Sequence, residues 1–141
     1  MAAVDFFNQD ISFKLPQPRK TIRWIQEVII LESKELAHLN FIFCSDEYLL
    51  GINRQYLKHK TLTDIITFDY SEIDGPIEGD VFISIERVKA NAKELVTEFD
   101  EEIHRVLIHG VLHLIGYSDK SVREKSRMRK KEDAYLSLRR N

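Results

Sequence analysis

The sequence has few of the residues and segments that mark several classes of protein. Of its 141 residues only Cys44 is a cysteine, which excludes an internal disulfide framework and fits a reducing compartment. Cys44 lies in an apolar alternation, so we interpret it as a buried strand residue rather than a nucleophile. No apolar run reaches the roughly 18 residues that indicate a membrane span. The N-terminus also lacks the basic and apolar segments of a signal peptide, and we therefore expect a cytoplasmic protein.

The overall charge is close to balanced, with a formal net charge of −2 at pH 7. Hydrophobic residues at 43% and charged residues at 31% are typical of a globular chain, and we expect one domain over residues 1–141. The charges are unevenly distributed, because the segment from Lys120 onward contains nine Lys or Arg residues and only three acidic residues. That basic segment is either a helix that contacts a polyanion or an ordinary solvated helix face.

The apolar periodicity predicts an α/β (α+β) chain with four strands and about five helices. The spacing predicts a parallel crossover between the first two strands and an antiparallel pair between the last two, hence a mixed sheet. The expected strands are Ile11–Leu15, Leu39–Cys44, Asp64–Phe68 and Gly79–Ser84, and the expected helices cover about 21–33, 45–56, 85–96, 100–115 and the C-terminal segment.

The clearest chemical motif is His-x3-His-x2-Gly-x2-Asp. On a helix, His109 and His113 stand one turn apart on the same face, so both imidazoles can reach one ion. Gly116 tolerates the left-handed conformation that ends a helix, and Asp119 then offers a carboxylate on the returning chain. Two histidines and one carboxylate leave the fourth position of a tetrahedral Zn²⁺ open, which is typical of catalytic zinc.

A simpler interpretation is that two histidines fell by chance on a buried helix. Two buried imidazoles without partners cost free energy, and this favours a metal ion. Gly110 occupies the position where zinc peptidases carry a glutamate base, which weakens a peptidase hypothesis and allows a backbone or a ligand to approach. Glu102 lies two turns before His109, so it is either a base, a partner of the ligand, or an acid favoured by the helix dipole.

The segment His109–Asp119, HGVLHLIGYSD, resembles the signature H-G-x-L-H-L-x-G-Y-D-H of the YbeY-type rRNA maturation factors. Asp119 stands where the family has a third histidine, and Ser118 stands where it has aspartate. Since aspartate is also a zinc ligand, the substitution alters the charge of the site and keeps a ligand there. The strand Gly79–Ser84, and Met128 with Glu132 in the last helix, are also similar to the family.

A second block, residues 53–68, is similar to the family's N-x-x-Y-R-x-x-D-x-P-T-D-V-L-S-F. The family's arginine falls on Leu57, which cannot contact a phosphate, and Lys58 or His59 would supply the missing positive charge. The residues that agree are Asn53, Tyr56, Thr63, Asp64 and Phe68.

The resemblance implies helices packed around a metal-bearing helix and a bacterial, metal-dependent endoribonuclease. It would cleave single-stranded RNA in the maturation of the 16S rRNA 3′ end and in ribosome quality control, with the small ribosomal subunit as partner and no organic cofactor or membrane. From the residues and the resemblance together we assign metal binding to His109, His113 and Asp119, and catalysis to Lys58, His59 and Glu102, with Asp64 as a second candidate for the base. Substrate binding is assigned to Asn53, Tyr56, Thr63 and Asp64. The alternatives are another zinc hydrolase, such as a peptidase, or a non-catalytic ribosome-binding factor with a structural metal.

Overall fold

A computed structural model describes residues 3–56 and 63–140, except for the side chain of Tyr56. Within these ranges the chain forms one four-stranded sheet and five helices, as the apolar periodicity predicts. The elements are β1 (Ala3–Asn8), α1 (Pro18–Leu31), β2 (Leu36–Cys44), α2 (Asp46–Tyr56), β3 (Ile65–Asp69), β4 (Ile77–Ser84), α3 (Ile85–Glu94), α4 (Phe99–Ile115) and α5 (Val122–Arg140).

The sheet is mixed, with the strand order β1-β2-β4-β3. β1 pairs with β2 in parallel, and β2 pairs with β4 in parallel, so α1 lies in a crossover between parallel neighbours. β3 pairs with β4 in the antiparallel direction, since the two are joined by a turn rather than by a helix. The predictions of a parallel first pair and an antiparallel last pair are both confirmed.

The prediction that Ile11–Leu15 is the first strand is wrong. The strand is Ala3–Asn8, and residues 11–15 run without regular secondary structure between β1 and α1. The apolar alternation there serves packing instead, because Leu15 is buried and the Phe13 ring contacts the rings of Phe43 and Phe99 edge to face. The backbone carbonyl of Phe13 accepts a hydrogen bond from the Asn8 side chain rather than from a neighbouring strand.

Side-chain alternation along the strands gives the sheet two covered faces. Leu39, Phe41 and Phe43 of β2 point into the main core with α1 and α4, because residues two apart share a face. The opposite face carries a smaller cluster under α2, in which Cys44 packs with Leu49. Cys44 is fully buried at the end of β2, which confirms the interpretation of a buried strand residue. Burial also raises the pKa of its thiol to about 12, which keeps the thiol protonated.

Helix α4 lies at the centre of the molecule. It contacts α1, α3, α5, β3 and β4, and it is buried on almost every side. Its apolar residues therefore bury against helices and sheet together, which explains why the sequence is apolar nearly all round the helix. Among the described residues, no helix combines the length and apolarity that crossing a membrane requires.

Candidate metal centre

The two histidines and the aspartate of the motif come together at the C-terminal end of α4. Oδ2 of Asp119 lies 3.3 Å from Nε2 of His109 and 3.5 Å from Nε2 of His113. One ligand atom from each residue lies within 4.8 Å of the other two. Each side chain is partly exposed, so an ion and a substrate can reach the cluster from solvent.

The donor set and its spacing fit a tetrahedral metal ion. Two ligand atoms placed about 2.0–2.1 Å from a zinc ion at the tetrahedral angle are separated by about 3.3–3.4 Å. The contacts of Asp119 with the two imidazoles, at 3.3 and 3.5 Å, are close to that separation. Two imidazole nitrogens and a carboxylate oxygen are borderline and hard donors of the kind that zinc accepts, and one coordination position stays open.

Gly116 turns the chain so that Asp119 comes back to the helix. Its φ of 125° is strained for residues with a side chain and is available to glycine. The backbone N–H of Gly116 donates to the carbonyls of Leu112 and His113, both at 3.1 Å, and the N–H of Tyr117 donates to the carbonyl of Leu112 at 3.0 Å. This pattern of bonds closes the helix as in a Schellman motif and fixes the direction of the next residues.

The segment that carries Asp119 is anchored on both sides. Before it, the Tyr117 hydroxyl donates to Oε1 of Glu32 at 2.7 Å, which ties the segment to the end of α1. After it, Ser121 and Glu124 form a capping box in which each side chain accepts from the backbone N–H of the other, at 3.1 and 2.9 Å. These contacts set the position of Asp119 before any metal binds.

Glu132 of α5 contacts the His109 imidazole on the side away from Asp119. Its Oε2 lies 2.6 Å from Nδ1 of His109, and its Oε1 accepts from the Arg105 guanidinium at 3.0 Å. Asp133 binds the same guanidinium from outside, at 2.7 Å. When Nδ1–H donates to Glu132, the lone pair of Nε2 faces Asp119, so the carboxylate favours the tautomer that a metal ligand requires.

Sequence reasoning placed Glu132 in the last helix without giving it a role at the metal centre. A signal for that role was present, because Glu132 follows Met128 by one turn on the apolar side of α5. A buried carboxylate on such a face requires a charged or hydrogen-bonding partner. By contrast Val122, the first residue of α5, is apolar but 86% exposed.

The two histidines differ in their affinity for protons. Burial opposes protonation of His109, but the hydrogen bond and charge of Glu132 outweigh it, with help from Asp119, and raise the pKa of His109. Burial and the neighbouring charge of His109 lower the pKa of His113, against the smaller effect of Asp119. A metal ion that bound to both imidazoles would therefore compete with a proton mainly at His109.

An open cavity of about 350 Å³ lies beside His109 and Asp119. Asp64 from the start of β3 and Glu102 from the first turn of α4 both line it. Burial raises the pKa of Asp64, although the charge of His109 opposes this, and burial together with the charge of Asp64 raises the pKa of Glu102. Both carboxyl groups thus exchange protons closer to neutrality than free acids do.

The other sequence-predicted residues lie in different places. Asn53 is buried in α2, and the Thr63 hydroxyl donates to the carbonyl of Ile65 at 3.3 Å. Neither residue belongs to the described residues that line the cavity. Lys58 and His59 lie outside the described residues, as does the side chain of Tyr56.

Gly110 serves the packing of α4 against the sheet. A Cβ atom at this position would lie 2.9 Å from Cγ1 of Val81 and 3.0 Å from Cδ1 of Ile65. The close approach expected from this glycine is therefore made by the side chains of β3 and β4. A glutamate base of the peptidase kind has no room here, because any side chain would collide with the sheet.

Fold and site together define a class: an α+β domain whose central helix carries a three-residue candidate metal centre of the hydrolytic type. The family model described as endoribonuclease YbeY matches residues 4–139. Endoribonuclease YbeY of Cytophaga hutchinsonii is 53% identical over 134 residues, which cover 95% of this chain and 94% of that protein. Endoribonuclease YbeY of Amoebophilus asiaticus is 50% identical over 135 residues, or 96% and 92% of the two chains. The chain belongs to the endoribonuclease YbeY family.

The fold has also been observed in a solved structure. The solution structure of TM1509 from Thermotoga maritima aligns with a TM-score of 0.68 and 23% sequence identity, over 97% of this chain and 89% of that one. At that identity the match shows the shared fold and carries nothing about chemistry. The prediction of a mixed sheet with helices packed around α4 agrees with it.

Proposed function

We propose that the chain is a single metallohydrolase domain that binds one Zn²⁺ and cleaves single-stranded RNA during rRNA maturation in the bacterial cytoplasm. The observation that carries this proposal is the cluster of His109, His113 and Asp119 at the edge of an open cavity. Endoribonuclease is the name of its relatives. Action at the 16S rRNA 3′ end, ribosome quality control and the small ribosomal subunit as partner rest on the motif resemblance.

The chemistry assigned to the site divides between the metal and the protein. His109, His113 and Asp119 would hold a divalent ion, which would supply Lewis-acid polarisation of a phosphoryl oxygen and acidification of water. Glu132 keeps Nε2 of His109 directed at the ion position through the 2.6 Å hydrogen bond to Nδ1. Glu102, with its raised pKa and its place in the cavity, is the proton acceptor we favour, and Asp64 is the second candidate.

The remaining roles follow the motif resemblance. Lys58 and His59 would stabilise negative charge on the phosphate, because fixed cations at a developing oxyanion lower the barrier. Asn53, Tyr56 and Thr63 would position the strand. The attacking group is either water or the 2′-hydroxyl of the RNA, and the products separate the two, since only the second leaves a 2′,3′-cyclic phosphate.

The test is cleavage of a single-stranded oligoribonucleotide by purified protein, with and without chelator. We expect endonucleolytic products from the wild type, loss of cleavage on chelation, recovery with zinc, and no cleavage by His113→Ala. His38→Ala is the matched control, because His38 lies on β2 beside Asn40 and Asp5, outside the cluster. A protein that carries metal yet leaves RNA intact under varied divalent ions would instead be a ribosome-binding factor with a structural metal.

A further inference from the structure

Two basic side chains of α5 line the cavity next to the candidate metal centre. Lys125 and Arg129 are exposed, and both lie on the cavity wall with His109 and Asp119. They stand four residues apart, so they share one face of the helix. Glu132 follows on the same face, and its contact with His109 fixes the rotation of α5 that presents this face to the cavity.

Neither residue forms a salt bridge within the described ranges, in contrast to Lys131, Arg139 and Arg140 of the same helix. Lys131 binds Glu32 at 3.0 Å, and Arg139 lies 3.5 Å from Asp100. Arg105, the other cation of the cavity wall, is bound by two carboxylates of α5. Lys125 and Arg129 are therefore the described cations of the cavity that remain available for an incoming anion.

The cavity needs such cations if its ligand is a polyanion. Four carboxylates line it, those of Asp64, Glu102, Asp119 and Glu132, and they outnumber its three Lys and Arg residues. A nucleic-acid strand that approaches this wall meets repulsion, which a divalent ion at the cluster reduces and free cations offset. Exposed ammonium and guanidinium groups are the usual contacts of backbone phosphates, the guanidinium as a bidentate donor.

We propose that Lys125 and Arg129 bind backbone phosphates of the RNA strand and so guide it across the cavity to His109, His113 and Asp119. This inference rests on the proposed function and adds a substrate-binding surface on α5, contributed by residues far in sequence from the 53–68 block. On this basis the face of the basic C-terminal segment that meets the cavity binds RNA, while Lys131 and Arg139 on other faces pair with acids of the protein.

The experiment compares two double variants that each remove two positive charges from α5. K125Q/R129Q alters the cavity face, and R123Q/K130Q alters two exposed residues that flank a separate hollow beside Val122. Binding of a fluorescent single-stranded oligoribonucleotide is measured in EDTA at several salt concentrations, and KM and kcat are measured with zinc.

For K125Q/R129Q we expect binding roughly tenfold weaker or more, a higher KM, and a salt slope reduced by about 1.4, since each phosphate contact on a single strand contributes about 0.7. R123Q/K130Q should stay within about twofold of the wild type, and both variants should keep their zinc. K125Q/R129K should recover part of the binding that K125Q/R129Q loses, because lysine restores the positive charge at this position but not the bidentate guanidinium.

Equal losses in the two double variants would overturn the inference, because only net charge would then matter. Unchanged binding in K125Q/R129Q would also overturn it, whether or not the wild type cleaves RNA. If the wild type binds the oligonucleotide but does not cleave it, and the cavity-face variant alone loses binding, the surface stands and the nuclease assignment falls.

Discussion

Replacing Glu132 by glutamine tests whether this buried carboxylate holds His109 in its metal-binding tautomer. Oε2 lies 2.6 Å from Nδ1 of His109, while Oε1 accepts from Arg105 at 3.0 Å. A glutamine has one acceptor oxygen, which the charged guanidinium of Arg105 would take, so its amide N–H groups would face Nδ1. His109 then best accepts at Nδ1 and carries its proton on Nε2, the atom that should bind metal.

Loss of such an outer-shell partner typically weakens metal binding by about 10–100-fold, or about 1.4–2.7 kcal/mol. We expect a loss of this size for Glu132→Gln in a zinc titration against a competing chelator. Asp133→Asn is the matched control, because Asp133 binds the same Arg105 at 2.7 Å. It should bind zinc within about threefold of the wild type. Equal zinc affinity in Glu132→Gln and the wild type would refute this reasoning.

Three further perturbations have defined outcomes. Gly110→Ala should lower the free energy of unfolding, measured in urea, by about 1 kcal/mol. The clash of the new Cβ with Val81 costs about 1–3 kcal/mol, and the higher helix propensity of alanine offsets about 1 kcal/mol of it; equal stability would mean that the sheet side chains move aside. Tyr117→Phe should cost about 1 kcal/mol in the same assay through its lost bond to Glu32, and no change would show that Glu32 needs only its other partners. Zinc affinity should begin to fall at a pH above 6.5 on acidification, since the raised pKa of His109 lets its imidazole retain a competing proton there, and a zinc affinity independent of pH between 6 and 8 would contradict the raised pKa. In the metal-free protein the protonated imidazole of His109 should stabilise the fold below pH 6.5, and this stabilisation should be lost as the pH rises through the folded-state pKa.

The grouping of His109, His113 and Asp119 could be predicted from the sequence because its geometry is local. His109 and His113 are related by one helical turn, and Gly116 ends the helix a few residues before Asp119. Such short-range relations depend on backbone conformations that single residues favour. Glu132 and Glu32 are different, because each reaches the site from another helix and its role depends on how α5 and α1 pack.

The position of the first strand also depends on packing between segments that are distant in the sequence. Residues 11–15 and residues 3–8 both carry apolar side chains suited to a strand, and only pairing with β2 distinguishes them. The parallel ladder takes Ala3–Asn8, with the ring of Phe6 stacked on that of Phe41 at 5.5 Å. Ile11–Leu15 follows as a packed connection, because one edge of β2 accommodates one partner.

Whether His109, His113 and Asp119 form a catalytic metal centre is decided by measuring metal content and RNA cleavage on the same preparations of wild type and Asp119→Ala. We expect about one zinc per wild-type chain with cleavage of single-stranded RNA, and the loss of both in the variant, since two histidines alone hold the ion weakly. Asp74→Ala, which changes a turn residue between β3 and β4, is the control and should retain both. Full zinc content in Asp119→Ala would contradict the three-residue centre, and a zinc-loaded wild type that leaves RNA intact would contradict its role in catalysis.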